Sequence, residues 1–231
     1  MVGEVIEEKS LRNKTHVFRD RLEAGDRLAR RLEKYKKKEC LILAIPSGGI
    51  PVGLKISQHL ELPFDLVISR KIPIPGNPEA GFGAASFEGS LFLNEPLVRE
   101  LRLTQEEIRE LSIPVLEEIQ HRNAIFRGGR SFPDLRGRIV IVVDDGLASG
   151  YTMMASLNFV KKRGPSRIVV AVPTAPESSI QLISAQVDEL LCLNIRGGFF
   201  FAVADAYHEW HDLSEAEVME FLKQLGTLDP Q

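Results

Sequence analysis

Residues 139–152 read IVIVVDDGLASGYT, and they are the most informative stretch of the chain about its fold. It begins with five aliphatic residues, a run typical of a strand that is buried on both faces of a parallel sheet. Two adjacent aspartates, Asp144 and Asp145, follow directly, and then a turn of small and hydroxyl residues. Burying two like charges side by side costs free energy unless a cation or hydrogen-bond donors meet them. The stretch therefore predicts a ligand at the end of a core strand.

The order of strand, turn and helix recurs along the chain. Short apolar runs at 40–45, 64–72, 167–173 and 187–195 predict further strands. Helical patterns lie between them, and this alternation predicts an α/β fold, with a doubly wound parallel sheet and right-handed crossovers. We expect the helices at 16–35, after residue 50, at 104–126, 150–163 and 177–185, and after Ser214. Capping boxes mark the starts of two of them, one formed by Thr104 and Glu107 and the other by Ser214 and Glu217.

Three unusual loops fall beyond the carboxyl ends of the predicted strands, where such sheets bind ligands. They are residues 46–50, 71–83 and 144–152. Residues 73–83 carry three prolines and three glycines, so we expect an irregular, mobile loop there. A short hairpin is expected to follow it within residues 84–94.

The loop after the two aspartates has the chemistry of a sugar phosphate site. Its small residues admit a ligand close to the backbone, and a helix N-terminus binds phosphate. Ser149 and Thr152 add hydroxyl donors, while the two carboxylates suit sugar hydroxyls or a metal ion. The alternative is that Asp145 or Ser149 caps the helix and Asp144 faces solvent.

Composition excludes several classes of function. The 231 residues carry a net charge of −3, which does not favour a nucleic-acid-binding surface. No apolar run approaches the ~20 residues that span a bilayer, and the start, MVGEVIEEKS, has no apolar signal region, so we expect a cytoplasmic protein without membrane partners. Cys40 and Cys192 lie in apolar runs and are expected to be reduced and buried.

The chain resembles a known family at several motifs. VVDDGLASGYT (142–152) is similar to the phosphoribosyl pyrophosphate (PRPP) signature of type I phosphoribosyltransferases, and PSGGIPVG (46–53) resembles their pyrophosphate loop. With FRDRLEAGDRLA (18–29) and VISRKIPIPGNPEAGFGA (67–84), it is similar to a bacterial and archaeal branch described as predicted phosphoribosyltransferases. The order of predicted elements matches over about residues 16–205.

The resemblance implies an architecture and an activity. It implies one domain over residues 1–231, with a core at about 36–195, a hood from about 1–35 and 196–231, and a flexible loop or hairpin. Such an enzyme moves the 5-phosphoribosyl group from PRPP to a nitrogenous, small planar acceptor such as a nucleobase, with Mg²⁺ and release of pyrophosphate. It also implies a homodimer.

The matching positions imply roles for individual residues. Asp144 and Asp145 would hold the ribose hydroxyls, directly or through water on Mg²⁺, and would stabilise a sugar that becomes oxocarbenium-like. A non-proline cis peptide is expected between Ser47 and Gly48. The 5′-phosphate would lie against Ala148, Ser149, Gly150, Tyr151 and Thr152, and the pyrophosphate against Ser47, Gly48 and Gly49.

Two departures from the family pattern affect the expected chemistry. Many members have Arg or Lys where this chain has Ser47, and residues 72–90 contain no Lys or Arg. Arg70 and Lys71 are therefore the candidates for charge compensation of the pyrophosphate, although a charged strand end is the alternative. Ala148 replaces an aspartate that handles the base proton in 6-oxopurine transferases, which disfavours hypoxanthine and guanine.

The aromatic segment within 196–212 admits two interpretations. Residues 199–201, Tyr207 and Trp210 either stack on a planar acceptor or pack the C-terminal segment onto the core, and core packing is favoured. The string HEWH (208–211) lacks the histidine spacing of a metalloprotease motif, so a metal site is disfavoured.

The sequence gives less support to other functions on this fold. A non-catalytic regulator that senses PRPP or a nucleotide is the alternative function, because cations are missing from the expected loop. A phosphatase or kinase-like protein is disfavoured, since no GxxxxGK[ST] motif occurs.

Overall fold

A computed structural model describes residues 3–198 and 200–226 of the chain. Strands and helices alternate over most of this length. The strands are β1 (Glu4–Glu7), β2 (Cys40–Ala44), β3 (Phe64–Leu66), β4 (Ser69–Ile74), β5 (Asn77–Ser86), β6 (Leu91–Leu93), β7 (Ile139–Val143), β8 (Arg167–Pro176) and β9 (Glu189–Arg196). The α-helices are α1 (Arg21–Arg31), α2 (Gly49–Leu60), α3 (Glu95–Glu100), α4 (Gln105–Arg127), α5 (Tyr151–Lys161), α6 (Glu177–Ser184) and α7 (Glu215–Gln224).

Six strands form the central sheet, in the order β1-β9-β8-β7-β2-β3. Every neighbouring pair in it is parallel, and β7, the aliphatic run, lies in the interior between β8 and β2. Its last four residues are buried, as expected for a strand covered on both faces. The predicted α/β fold with a doubly wound parallel sheet is confirmed.

The sheet buries alternate residues of each strand against helices on opposite faces. Val142 of β7 lies in one core cluster with Leu157 of α5, and the cluster also includes residues of α6. The neighbouring Ile141 points to the other face, in a cluster with Leu28 of α1 and Ile56 of α2. This alternation follows from the two-residue period of a strand.

The region predicted to be a mobile loop is instead part of a second sheet. Strands β4, β5 and β6 form a three-stranded antiparallel sheet. The strand expected at 64–72 is accordingly two strands in different sheets. Pro73 suggested a loop because it cannot donate to a ladder, but it lies on an edge strand at a register shift, where proline is tolerated. The predicted hairpin is formed by β5 and β6.

A short N-terminal strand was missed by the sequence analysis. Strand β1 pairs with β9 at the edge of the central sheet, so residues 4–7 join the sheet although they lie outside the predicted core at 36–195. Four residues bounded by two glutamates carry too little apolar periodicity to indicate a strand. The division into core and hood stays a prediction.

Both predicted capping boxes are present. Thr104 and Glu107 begin α4, and Ser214 and Glu217 begin α7. Helix α4 continues through Pro114 and ends before Gly128, whose φ of 59° is left-handed. Within the described residues, no helix combines the length and the apolar character that a membrane crossing requires.

Candidate functional site

The predicted ligand loops meet where the strand order of the central sheet reverses. Strand β2 is followed through α2 by β3 on one side, whereas its neighbour β7 is followed through α5 by β8 on the other. The loops that leave β2 and β7 therefore diverge and open a crevice between them. Ligands of doubly wound sheets bind in such a crevice.

A cavity of about 940 Å³ occupies this crevice. Its walls come from the loops that follow β2 and β7, from β4, from α4 and from the segment around Trp210. The structure thus brings together side chains that are far apart in the sequence. Of the predicted site residues, Ser47, Gly48, Arg70, Lys71, Asp144, Asp145 and Thr152 line it.

The two aspartates lie side by side at the end of β7. The backbone N–H of Asp145 donates to Oδ1 of Asp144 at 2.9 Å. Burial raises the pKa of Asp144 well above its ordinary value, and the neighbouring Asp145 charge adds to this. Burial also raises the pKa of Asp145, although Arg21 opposes the rise. Negative charge on both carboxylates at once is therefore unfavourable unless a cation or hydrogen-bond donors offset it.

Arg21, at the start of α1, compensates one of the two carboxylates. Its Nε donates to Oδ2 of Asp145 at 2.7 Å, its Nη1 donates to the carbonyl oxygen of His211 at 3.0 Å, and its guanidinium lies 3.8 Å from the ring centroid of Trp210. The role of Arg21 was not predicted from the sequence. The motif FRDRLEAGDRLA pointed to its segment, but nothing local distinguishes this arginine from its neighbours.

The loop before α2 approaches the aspartates closely. A Cβ at Gly48 would lie 1.9 Å from Oδ2 of Asp145, and one at Gly49 would lie 2.7 Å from the carbonyl oxygen of Val143. Both glycines are therefore required by close contact. The amide of Gly49 donates to Ile45, so it is already engaged. The predicted non-proline cis peptide occurs one bond earlier than expected, between Pro46 and Ser47.

The loop after the aspartates turns into α5 at Gly150, which has a left-handed φ of 81°. Ala148 and Ser149 are exposed, and Thr152 lines the cavity. The N–H groups of a first helical turn have no intrahelical partners, so this turn presents donors. The Tyr151 ring packs near Phe92, with 6.1 Å between ring centroids. Tyr151 can thus offer its backbone N–H, while its ring belongs to the packing against β6.

Three cationic side chains form a basic wall of the cavity. Arg70 and Lys71 of β4 line the cavity, and Arg122 of α4 joins them. Burial lowers the pKa of Arg70, and the neighbouring Arg122 adds to this. Arg122 was not predicted, because it lies on α4, far in sequence from residues 46–49 and 72–90, where a cation was expected.

Tyr207 and Trp210 pack against the core. Tyr207 is 2% exposed and its hydroxyl donates to the carbonyl oxygen of Asp145 at 2.6 Å. Burial raises its pKa well above the ordinary value. The Trp210 ring lies between Arg21 and Tyr207, 5.2 Å from the Tyr207 ring, and it also borders the cavity. The favoured packing interpretation holds for these two rings.

The other described aromatic and histidine residues of this segment do not line the cavity. Phe200 is 94% exposed, Phe201 contacts the Arg196 guanidinium, and Phe199 lies outside the described residues. His211 is paired with Glu217 at 2.7 Å. Among residues 3–198 and 200–226, no group of three or more His, Cys, Asp or Glu side chains is placed to hold a metal ion.

Comparison with known proteins assigns the chain to a family. The family described as "Phosphoribosyl transferase domain" matches residues 19–209. Two Mycobacterium tuberculosis proteins, named "Putative phosphoribosyl transferase" Rv0571c (strain ATCC 25618 / H37Rv) and MT0597 (strain CDC 1551 / Oshkosh), are each 35% identical over 206 residues. That alignment covers 89% of this chain and 46% of each relative, so the chain spans about half their length.

A solved structure has a fold similar to that of this chain. The crystal structure of TT1426 from Thermus thermophilus is 31% identical and superimposes with a TM-score of 0.73, covering 90% of this chain and 98% of that one. The likeness therefore extends over nearly the whole of both chains. The chain belongs to the phosphoribosyl transferase domain family.

Proposed function

We propose that this protein transfers the 5-phosphoribosyl group of PRPP to a nitrogenous acceptor, most simply a nucleobase, and releases pyrophosphate. One observation carries the proposal. A partly buried carboxylate pair, the first turn of α5 through Thr152, and a basic wall line one cavity at the reversal point of the sheet. These three features match the ribose hydroxyls, the 5′-phosphate and the pyrophosphate of a single molecule.

Asp144 and Asp145 act on the ribose. The 2′- and 3′-hydroxyls would donate to these carboxylates and compensate charges that are otherwise poorly solvated. As the bond from the anomeric carbon to pyrophosphate breaks, the ring acquires positive charge, and the fixed carboxylates stabilise it. The bond from the acceptor nitrogen forms on the opposite face of the sugar.

The two loops hold the phosphate groups. Residues 148–152 would bind the 5′-phosphate through backbone N–H groups and through the hydroxyls of Ser149 and Thr152. Ser47 and Gly48 would offer their amides to the pyrophosphate, and Gly49 would provide space. Arg70 and Lys71 supply positive charge to the leaving group, which lowers the cost of its developing negative charge.

Mg²⁺ fits this donor set. The carboxylates of Asp144 and Asp145 are hard oxygen donors, and magnesium is commonly held by one or two carboxylates together with substrate phosphates and waters. The two aspartates would hold it through water, as the resemblance implies. When bound, the ion neutralises part of the pyrophosphate charge. The remaining ligands would come from PRPP itself.

The proposal is tested by titrating the protein calorimetrically with PRPP in Mg²⁺, followed by a pyrophosphate-release screen across nucleobases. We expect Asp144→Asn to lose PRPP binding by tenfold or more, on the order of the loss of one charge-assisted hydrogen bond, while the protein stays folded. Asp144 is the better target because changing Asp145 also breaks the ion pair with Arg21. Asp134→Asn, in an exposed pair with Arg136, is the matched control.

The outcomes separate two functions. Binding with release for one base supports the transferase and identifies the acceptor. Binding without release for any base favours the PRPP-sensing regulator. An unchanged affinity of Asp144→Asn for PRPP would show that the carboxylate pair does not bind the ribose. A homodimer and a cytoplasmic location remain predictions from the sequence.

A further inference from the structure

A shared carboxylate joins two arginines on the basic wall of the cavity. Oε1 of Glu118 lies 2.7 Å from Nε of Arg122 and 3.6 Å from Nη1 of Arg70. Nη1 of Arg122 also donates to Oγ of Ser47 at 3.4 Å. The guanidinium of Arg122 therefore reaches from α4 to the loop that precedes α2.

The position of Arg122 answers a problem that the sequence raised. The loop at 46–49 has Ser47 where a cation is common in this family, and residues 72–90 supply none. Arg122 lies at hydrogen-bond distance from that same serine. A guanidinium presents paired donors that match phosphate oxygens, which a serine hydroxyl cannot replace.

We propose that Arg122 contacts the diphosphate group of the ligand and supplies the charge that Ser47 lacks, with Glu118 as the internal counter-ion that the diphosphate replaces. This inference rests on the proposed function, since it assigns one further residue to the same site. Glu118 holds the guanidinium in place before the ligand arrives, and its carboxylate opposes a second anion beside it. Arg122 and Glu118 therefore act on affinity with opposite signs.

The test uses inorganic pyrophosphate with Mg²⁺ and ribose 5-phosphate as separate probes in calorimetric titrations of the full chain. We expect Arg122→Gln to weaken pyrophosphate and PRPP binding about tenfold and to leave ribose 5-phosphate within about twofold. Arg122→Lys keeps the charge but not the paired donors, so we expect an intermediate loss. Glu118→Gln should strengthen pyrophosphate binding about threefold, as for a partly exposed charge.

Arg136→Gln is the matched control, because this exposed arginine pairs with Asp134 and lines a different cleft. Thermal unfolding of each variant shows that it is folded. If the wild-type protein binds pyrophosphate and Arg122→Gln and Arg122→Lys bind it equally well, the assignment of Arg122 is wrong while the proposed function stands. If pyrophosphate binding depends on Arg122 but no base gives pyrophosphate release, the assignment stands and the transferase proposal fails. If the wild-type protein binds neither PRPP nor pyrophosphate, both fail.

Discussion

Arg21 and Asp145 form an ion pair that is nearly buried, with side-chain exposures of 8% and 13%. Removing two charges from water costs several kcal/mol, which their attraction offsets only when geometry and further hydrogen bonds are good. Here Arg21 also donates to the His211 carbonyl and stacks on Trp210. The pair therefore ties the first helix to the C-terminal segment and holds the Asp145 carboxylate in one orientation.

Breaking this pair should cost more than an average substitution. We expect Arg21→Gln to lower the free energy of unfolding by about 3 kcal/mol, because it leaves a buried carboxylate without its cation. Urea unfolding measures the change. Asp145→Asn in the same background should recover part of the loss, since it removes the uncompensated charge. A double-mutant cycle with a coupling energy near zero would contradict this account of the pair.

At the scale of elements, α4 is the helix that positions the basic wall. It is 23 residues long and carries both Glu118 and Arg122. Its last residue, Arg127, donates from Nε and Nη2 to the two carboxylate oxygens of Asp65 on β3, at 2.8 and 2.9 Å. The stretch 127–138 contains four arginines, and the first of them, Arg127, is buried and fixes the helix to the sheet.

We expect Arg127→Gln to lower the free energy of unfolding by about 3 kcal/mol, because Asp65 would lose its bidentate partner in a buried position. Denaturant unfolding is the measurement. Arg136→Gln, at the exposed end of the same stretch, should leave the free energy of unfolding unchanged. An equally small effect of both substitutions would show that Arg127 does not anchor α4.

The whole molecule is needed to build the cavity. Its walls combine Arg21 from the first helix, Ser47 after β2, Arg122 from α4, Asp144 after β7 and Trp210 near the C-terminal end. None of these segments forms a site alone, so a ligand that fills the cavity binds the folded chain and not the unfolded one. Binding must therefore stabilise the fold by mass action.

We expect PRPP with Mg²⁺ at 100 times its dissociation constant to raise the free energy of unfolding by about 2.7 kcal/mol. For a chain of this size the melting temperature should rise by roughly 5–10 °C. Differential scanning fluorimetry measures the shift. The Asp144→Asn variant should show about half of this shift or less, because a tenfold weaker affinity leaves the ligand at only about ten times its dissociation constant. A full shift in that variant would place PRPP elsewhere on the protein.

The features that could be predicted from the sequence are those that depend on neighbouring residues. A strand, a loop and a helix start are each encoded locally. The sequence therefore predicted the strand β7, the acidic pair after it and the small-residue turn into α5. The two capping boxes belong to the same class. The recurring order of strand, turn and helix predicted the parallel sheet. The motif that follows β7 predicted the position of the ligand and carried the family resemblance.

The charged residues that meet in the site could not be predicted in this way, because they are far apart in the sequence. The chain has 29 Lys and Arg residues, and no local pattern distinguishes Arg21 or Arg122 from the others. The antiparallel sheet of β4 to β6 was hidden for a related reason, since pairing between strands lets an edge tolerate Pro73 where local propensity favours a loop. Contacts between residues far apart in sequence depend on packing of the whole chain, and that packing completes the site.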